Sequence, residues 1–186
     1  MLVYSIHFTG NLRTLYSVQD GFVVDTSETK MTYPEFKLRH PETFFFKLAR
    51  RWTYDVKEIK ESEAVVVFAN DNFWGRSIAA ISASTDPDSY ARFGPFVPGF
   101  KTVPYNDLKA VEEAVKDKNV AAFMVESIQG EEGVVLQDAG YLKGVSEICK
   151  KHNVLFITDE VQTGLGRTGK LLAHYHDNVR PDMVVI

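Results

Sequence analysis

Short apolar runs alternate with amphipathic segments along the chain from residue 62 onward. Five of these runs have the length of a buried strand, and the segments between them repeat their apolar positions with the period of a helix. The runs are residues 63–70, 100–104, 120–126, 153–160 and 182–186. Continuous apolar strands are typical of parallel sheets, because helices cover both of their faces. The pattern therefore predicts an α/β fold of three layers, with helices on both faces of a mostly parallel sheet.

Two segments between the runs, residues 106–118 and 138–152, have the clearest helical period. Their first residues, Asn106 and Asp138, are predicted N-caps, because short polar side chains accept hydrogen bonds from the first free N–H groups of a helix.

Composition and charge narrow the function classes. A chain of 186 residues, 45% of them hydrophobic, can bury one sizeable core. A net charge of -4 gives no basic field for nucleic acid or anionic membranes, and no apolar run approaches the roughly 20 residues that span a bilayer. The lone Cys149 suits a reducing compartment and is expected to be buried. We expect no nucleic-acid or membrane partner, and leave the compartment open between the cytoplasm and the mitochondrial matrix.

Polar and aromatic residues stand where three of the predicted strands end. Glu126 closes residues 120–126, Asp159 lies at the end of 153–160, and the turn at residues 70–76 follows the first run. Because ligands bind at the carboxyl ends of parallel strands, we expect one pocket to collect these residues. The simpler interpretation is that the acids cap turns and that the aromatics of the turn, Phe73 and Trp74, cover the sheet edge.

The segment ITDEVQTGLGRTGK, residues 157–170, resembles two phosphate-binding motifs without satisfying either. A dinucleotide fingerprint places its first glycine directly after the strand, whereas residues 159–163 intervene here. A P-loop requires Ser or Thr after its lysine, but Leu171 follows Lys170. What remains is an aspartate at the end of a buried strand.

Such an aspartate needs a cationic partner, because an isolated buried charge is very costly. Arg76 is one candidate partner for Asp159. The protonated ring nitrogen of a cofactor is another, as in pyridoxal phosphate enzymes.

Three longer stretches carry a family resemblance. Residues 70–115, 119–135 and 155–186 resemble the ornithine aminotransferases, in the ω-amino subgroup of pyridoxal phosphate-dependent aminotransferases. The resemblance implies that residues 46–186 form part of the large, cofactor-binding domain of a transferase of the aspartate aminotransferase type. Residues 1–45 form a divergent N-terminal segment that we expect to be loosely packed.

The resemblance also implies roles for the cofactor-binding residues. Phe73 would stack on one face of the pyridoxal phosphate ring and Val161 would pack on the other. Asp159, the catalytic residue, would pair with the ring nitrogen, and Gln162 would hydrogen-bond the phenolic oxygen. Glu126 would support the cofactor from nearby.

The implied reaction transfers the δ-amino group of ornithine to 2-oxoglutarate, giving glutamate semialdehyde and glutamate. Arg76 would bind the carboxylate of 2-oxoglutarate, Glu131 would pair with a distant arginine when ornithine is bound, and Trp74 is assigned to the substrate side. The family implies a homodimer or higher oligomer for the full-length protein. No metal is expected.

Two departures from the family pattern lead to a further expectation. The lysine that attaches the cofactor follows the VRPD-apolar strand in the family, and this sequence reaches only Ile186. The segment before residues 47–52 lacks the glycine expected in the loop that binds the cofactor phosphate. Lys170 lies in a different motif and does not replace the missing lysine. We therefore expect a fragment of the enzyme, or alternatively a non-catalytic α/β remnant or subunit-binding module.

Overall fold

The computed structural model describes residues 44–186 together with three short strands nearer the N-terminus. These strands are β1 (Tyr16–Gln19), β2 (Phe22–Asp25) and β3 (Lys30–Thr32), and they pair antiparallel in that order. The sequence analysis did not predict them. The expectation of loose packing falls mostly on residues that lie outside the described part of the chain.

In the rest of the described chain, at least one helix lies between each two consecutive predicted strands, as the hydrophobic pattern predicts. The helices are α1 (Phe44–Val56), α2 (Ile78–Ile81), α3 (Pro87–Tyr90), α4 (Leu108–Val115), α5 (Tyr141–Lys151) and a 3-10 helix at Ala173–His176. The strands are β4 (Val65–Ala69), β5 (Phe100–Val103), β6 (Val120–Glu126), β7 (Ile128–Gln129), β8 (Val135–Leu136), β9 (Leu155–Asp159) and β10 (Met183–Val185).

The central sheet has five strands in the order β10-β9-β6-β4-β5, and all four pairings are parallel. Its strands are the five predicted apolar runs, so the prediction of a parallel sheet is confirmed. Strand β6 lies at the centre and is buried along its whole length. Since the strands are parallel, their carboxyl ends meet at one edge.

Helices cover both faces of the sheet. On one face α1 packs against alternate strand residues such as Val66 and Phe68. On the other face α4 and α5 pack against the residues between them, including Val67, and Cys149 is buried there as expected. Burial of one such side chain stabilises the fold by about 1.5–3 kcal/mol. The predicted three-layer arrangement is confirmed.

The predicted helix caps are wrong in their positions. Asp107, not Asn106, caps α4, because its carboxylate accepts a hydrogen bond from the N–H of Ala110. Gly140, not Asp138, is the N-cap of α5, with φ of 85°. Asn106 and Asp138 instead bond to each other across 32 positions, since the Asn106 side-chain oxygen accepts from the Asp138 N–H. A long-range contact thus takes both residues away from the local role that their sequence suggests.

Among the described residues, no helix has the length and apolar character required to cross a membrane.

Candidate active site at the carboxyl ends of the strands

Two acidic residues stand side by side where the central strands end. Glu126 and Asp159 are the last residues of β6 and β9 and are direct partners in the register of these strands. Neighbouring strands lie about 4.8 Å apart. Both side chains fall on the α1 face, because Met124 and Ile157, two residues earlier, belong to the core on that face. Both are nearly buried, with 7% and 6% of their surface exposed.

The turn at residues 70–76 reaches the same place. The backbone N–H of Phe73 donates to the Glu126 carboxylate at 2.9 Å. The side-chain amide of Asn72 holds the turn by donating to the carbonyls of Ala69 and Ala83. The expectation that this turn, Glu126 and Asp159 share one edge of the sheet is therefore confirmed.

Burial governs the electrostatics of the two acids. It raises the pKa of Glu126 to about 8, although the N–H groups of Phe73 and Gly130 oppose the shift, and the charge of Asp159 adds to it. Burial likewise raises the pKa of Asp159 to about 7, opposed by the N–H of Val161 and reinforced by Glu160. Both shifts express the cost of holding a carboxylate away from water. A cation placed beside Asp159 would remove that cost.

Arg76 does not supply this cation. Within the described part of the chain, no salt bridge includes Asp159. The guanidinium carbon of Arg76 lies instead 5.3 Å from the centre of the Phe73 ring, and the residue is exposed. The structure therefore does not pair Asp159 with Arg76, the first of the two partners left open by the sequence.

Val161 and Gln162 lie two and three residues after Asp159 and contact the same part of the structure. The N–H of Val161 donates to Asp159 Oδ1 at 3.0 Å, and its side chain packs against the α1-side core. Gln162 Nε2 donates to Glu131 Oε1 at 3.1 Å. Gly130 lies so close that a Cβ there would meet Gln162 Oε1 at 2.2 Å. The Gln162 amide is thus held between Glu131 and Gly130.

Trp74 lies next to Phe73 but packs into the core. Its ring stacks on Phe68 with centroids 5.4 Å apart and contacts Phe45 and Phe100 edge-on. The indole N–H is buried and has no hydrogen-bond partner within the described residues. These contacts are those of a residue that covers the sheet edge, and its assignment to substrate binding stays a prediction.

The sequence analysis assigned no role to Glu160. This residue is almost fully buried and accepts five hydrogen bonds from four other residues. One signal in the sequence could have pointed to Glu160: two acids, Asp159 and Glu160, stand next to each other at the end of a buried strand. Each buried carboxylate needs its own hydrogen-bond donors or cation to offset the cost of burial.

Lys170 lies on the surface, where its ammonium donates to the carbonyl of Tyr175 at 2.9 Å. Within residues 44–186, no group of three or more His, Cys, Asp or Glu side chains is placed to hold a metal ion.

Comparison with known proteins identifies the family. Residues 44–186 match the family model described as Aminotransferase class-III. The chain belongs to this family.

Individual class-III relatives are similar over the same region. The protein named probable ornithine aminotransferase, mitochondrial, of Caenorhabditis elegans is 84% identical over 140 residues, which are 75% of this chain and 33% of that protein. The mitochondrial ornithine aminotransferase of Rattus norvegicus is 64% identical over 140 residues, with 75% of this chain and 32% of that protein covered. The chain therefore spans about a third of the length of these relatives.

Solved class-III structures support the same assignment. The ornithine aminotransferase of Toxoplasma gondii ME49 superposes with a TM-score of 0.75 at 55% identity, over 76% of this chain and 34% of that one. A second T. gondii structure, with the same TM-score and identity, has pyridoxal phosphate at partial occupancy in its active site. The observed sheet is thus part of the class-III aminotransferase fold, whose members depend on pyridoxal phosphate.

Proposed function

We propose that the chain is part of an aminotransferase that moves the δ-amino group of ornithine to 2-oxoglutarate, giving glutamate semialdehyde and glutamate. The observation that carries the proposal is the setting of Asp159. Its carboxylate is buried at a strand end, has a raised pKa and lies in register with Glu126, which holds Phe73. The high identity to ornithine aminotransferases over 140 residues supports ornithine as the substrate.

The residues present fit pyridoxal phosphate. Asp159 lacks a cationic partner among the described residues, and the protonated pyridine nitrogen would supply one. Phe73 would cover one face of the ring and Val161 the other, as flat aromatic ligands require. The Gln162 amide, which Glu131 holds in the structure, would donate to the phenolic oxygen. When bound, the cofactor supplies an electron sink for the carbon that loses its proton.

The chain's own residues orient and protect this chemistry. Asp159, once paired, keeps the ring nitrogen protonated, and its burial excludes water that would screen the pair. Glu126 would act on the cofactor indirectly. Its carboxylate fixes the backbone of Phe73 and hence the position of the ring that would stack on the cofactor.

Substrate recognition falls to more exposed residues. The guanidinium of Arg76 is exposed above the Phe73 ring, and its planar fork suits the carboxylate of 2-oxoglutarate. Glu131 accepts a hydrogen bond from Gln162 and would take an arginine partner when ornithine is bound. We assign Trp74 to the wall behind this site, where its ring supports the turn that carries Phe73 and Arg76.

The intact protein is proposed to be mitochondrial and to form a homodimer or higher oligomer. The location is supported by the names of the C. elegans and rat relatives, both of which are mitochondrial. Subcellular fractionation tests the location, and sedimentation analysis of the intact gene product tests the oligomeric state.

The function is tested with the intact gene product, purified and supplied with pyridoxal phosphate. We expect glutamate and glutamate semialdehyde to form from ornithine and 2-oxoglutarate, and much slower turnover when 4-aminobutyrate replaces ornithine. Faster turnover with 4-aminobutyrate would refute the assigned substrate. A folded gene product that binds no cofactor and turns over neither amine would indicate the non-catalytic module instead.

A further inference from the structure

The buried carboxylate of Glu160 accepts five hydrogen bonds. Oε1 accepts from the Ser127 hydroxyl, the His174 N–H and His174 Nδ1, each at 2.9 Å. Oε2 accepts from the Thr163 hydroxyl at 2.6 Å and the Ala173 N–H at 2.9 Å. These hydrogen bonds lower the pKa of Glu160, so its side chain is an ionised carboxylate that can only accept, and the contact with His174 then requires a proton on Nδ1.

These donors come from three separate parts of the chain. Ser127 follows β6, Thr163 lies early in the loop after β9, and Ala173 and His174 begin the 3-10 helix that ends this loop. Glu160 therefore ties both ends of residues 161–172 to the central strand of the sheet.

The backbone of Glu160 strengthens the same connection. Its N–H donates to the carbonyl of Val185 on β10, and its carbonyl accepts from the N–H of Gly164 at 2.7 Å. A Cβ at Gly164 would lie 2.8 Å from that carbonyl oxygen, so the close turn requires glycine. Val161 and Gln162 lie within this turn.

The two consecutive acids divide their roles. Burial alone would raise the pKa of Glu160, but the hydrogen bonds from His174, Thr163 and the backbone outweigh it and lower the pKa. Asp159 has the N–H of Val161 as its protein donor and stays in need of a cation. Glu160 is thus compensated from within the protein, and Asp159 is available to a ligand.

We propose that Glu160 is a positioning residue that holds Val161 and Gln162 at the cofactor without touching the cofactor itself. This inference rests on the proposed function, because it assigns Val161 and Gln162 to pyridoxal phosphate. The five donors on Glu160 set the course of the loop, and the loop sets where these two side chains meet the ring.

The test compares Glu160→Gln with the parent protein, using the intact gene product. A glutamine places an NH₂ group against at least two of the five donors, because each carboxylate oxygen of Glu160 accepts at least two hydrogen bonds. We expect the dissociation constant of pyridoxal phosphate to rise at least tenfold and the visible circular dichroism of the bound cofactor to change. In the cofactor-free protein, the amides of residues 161–166 should exchange hydrogen faster.

Two further variants make the test decisive. Thr163→Val removes one donor with little change of shape and should shift both cofactor signals in the same direction by a smaller amount, so it carries the test if Glu160→Gln does not fold. Glu113→Gln is the matched control, because Glu113 is an exposed residue of α4 that pairs with Lys116.

The outcomes separate this inference from the proposed function. If Glu160→Gln and Thr163→Val lower the melting temperature but keep the cofactor affinity and dichroism of the control, Glu160 is only structural and the inference is wrong. If the parent itself binds no pyridoxal phosphate, the proposed function fails, and the positioning role fails with it.

Discussion

The backbone N–H of Phe73 donates to the carboxylate of Glu126 at 2.9 Å, across 53 positions of the sequence. This bond joins the aromatic turn after β4 to the acidic end of β6, whose register partner is Asp159. The position of Phe73 is therefore coupled through Glu126 to the end of β9, where Asp159 lies.

Asp159→Asn should abolish most of the transamination activity while changing the fold little. An asparagine oxygen can still accept from the Val161 N–H, but an amide cannot keep a pyridine nitrogen protonated. We expect kcat to fall by more than tenfold, equivalent to about 1.4 kcal/mol in the activation barrier. Steady-state kinetics measure the effect, and a turnover within about threefold of the parent would remove Asp159 from the mechanism.

The pH dependence of stability should reveal the raised pKa values of the two acids. Each titrates at higher pH in the folded protein than in the unfolded chain, so its contribution to stability is largest below the unfolded value, near 4. That contribution falls as the pH rises to about 7 for Asp159 and about 8 for Glu126. In the cofactor-free protein, Asp159→Asn should therefore raise the melting temperature more at pH 8 than at pH 5.

Thermal unfolding followed by circular dichroism at the two pH values checks this, with Glu113→Gln as the control. Saturating pyridoxal phosphate should cancel the gain, because the parent Asp159 then has its cationic partner. An equal gain at both pH values would contradict the assigned titration.

Gly130→Ala should weaken cofactor binding through Gln162. The new methyl group would overlap Gln162 Oε1, so the Gln162 side chain must shift from its position beside Glu131. We expect the dissociation constant of pyridoxal phosphate to rise several-fold, about 1 kcal/mol, as for the loss of one hydrogen bond. The Gln162→Ala background provides the control, since Gly130→Ala should add almost nothing there. Additive effects of the two substitutions would show that Gly130 acts by another route.

Arg76→Lys should discriminate between the two substrates. An ammonium cannot offer the paired donors of a guanidinium, so the KM for 2-oxoglutarate should rise about tenfold and the KM for ornithine should change by less than twofold. Both constants are obtained from the two half-reactions measured separately. Equal increases would assign Arg76 to general support of the site, in keeping with its position over the Phe73 ring.

The candidate site was only partly accessible from the sequence. Glu126, Asp159 and the turn at residues 70–76 could be found because each ends an apolar run, and parallel strands bring their carboxyl ends to one edge. Glu160 could not be given a role in this way, since its partners lie up to 33 positions away and belong to three segments. The packing of Trp74 on Phe68 was also hidden, because an aromatic residue beside a strand end can face the ligand or the core with equal ease.

The sequence by itself determined the five strands, the helices between them and the layering of the fold. These follow from the spacing of apolar side chains, which each segment carries locally, and from the need to bury both faces of an apolar strand. The tertiary structure alone decided that β6 lies between β4 and β9, which makes Glu126 and Asp159 neighbours. It also decided which of the two acids after β9 is satisfied by the protein. Strand order and hydrogen-bond partners depend on contacts between segments that are far apart in the sequence. The spacing of apolar residues within one segment does not specify those contacts.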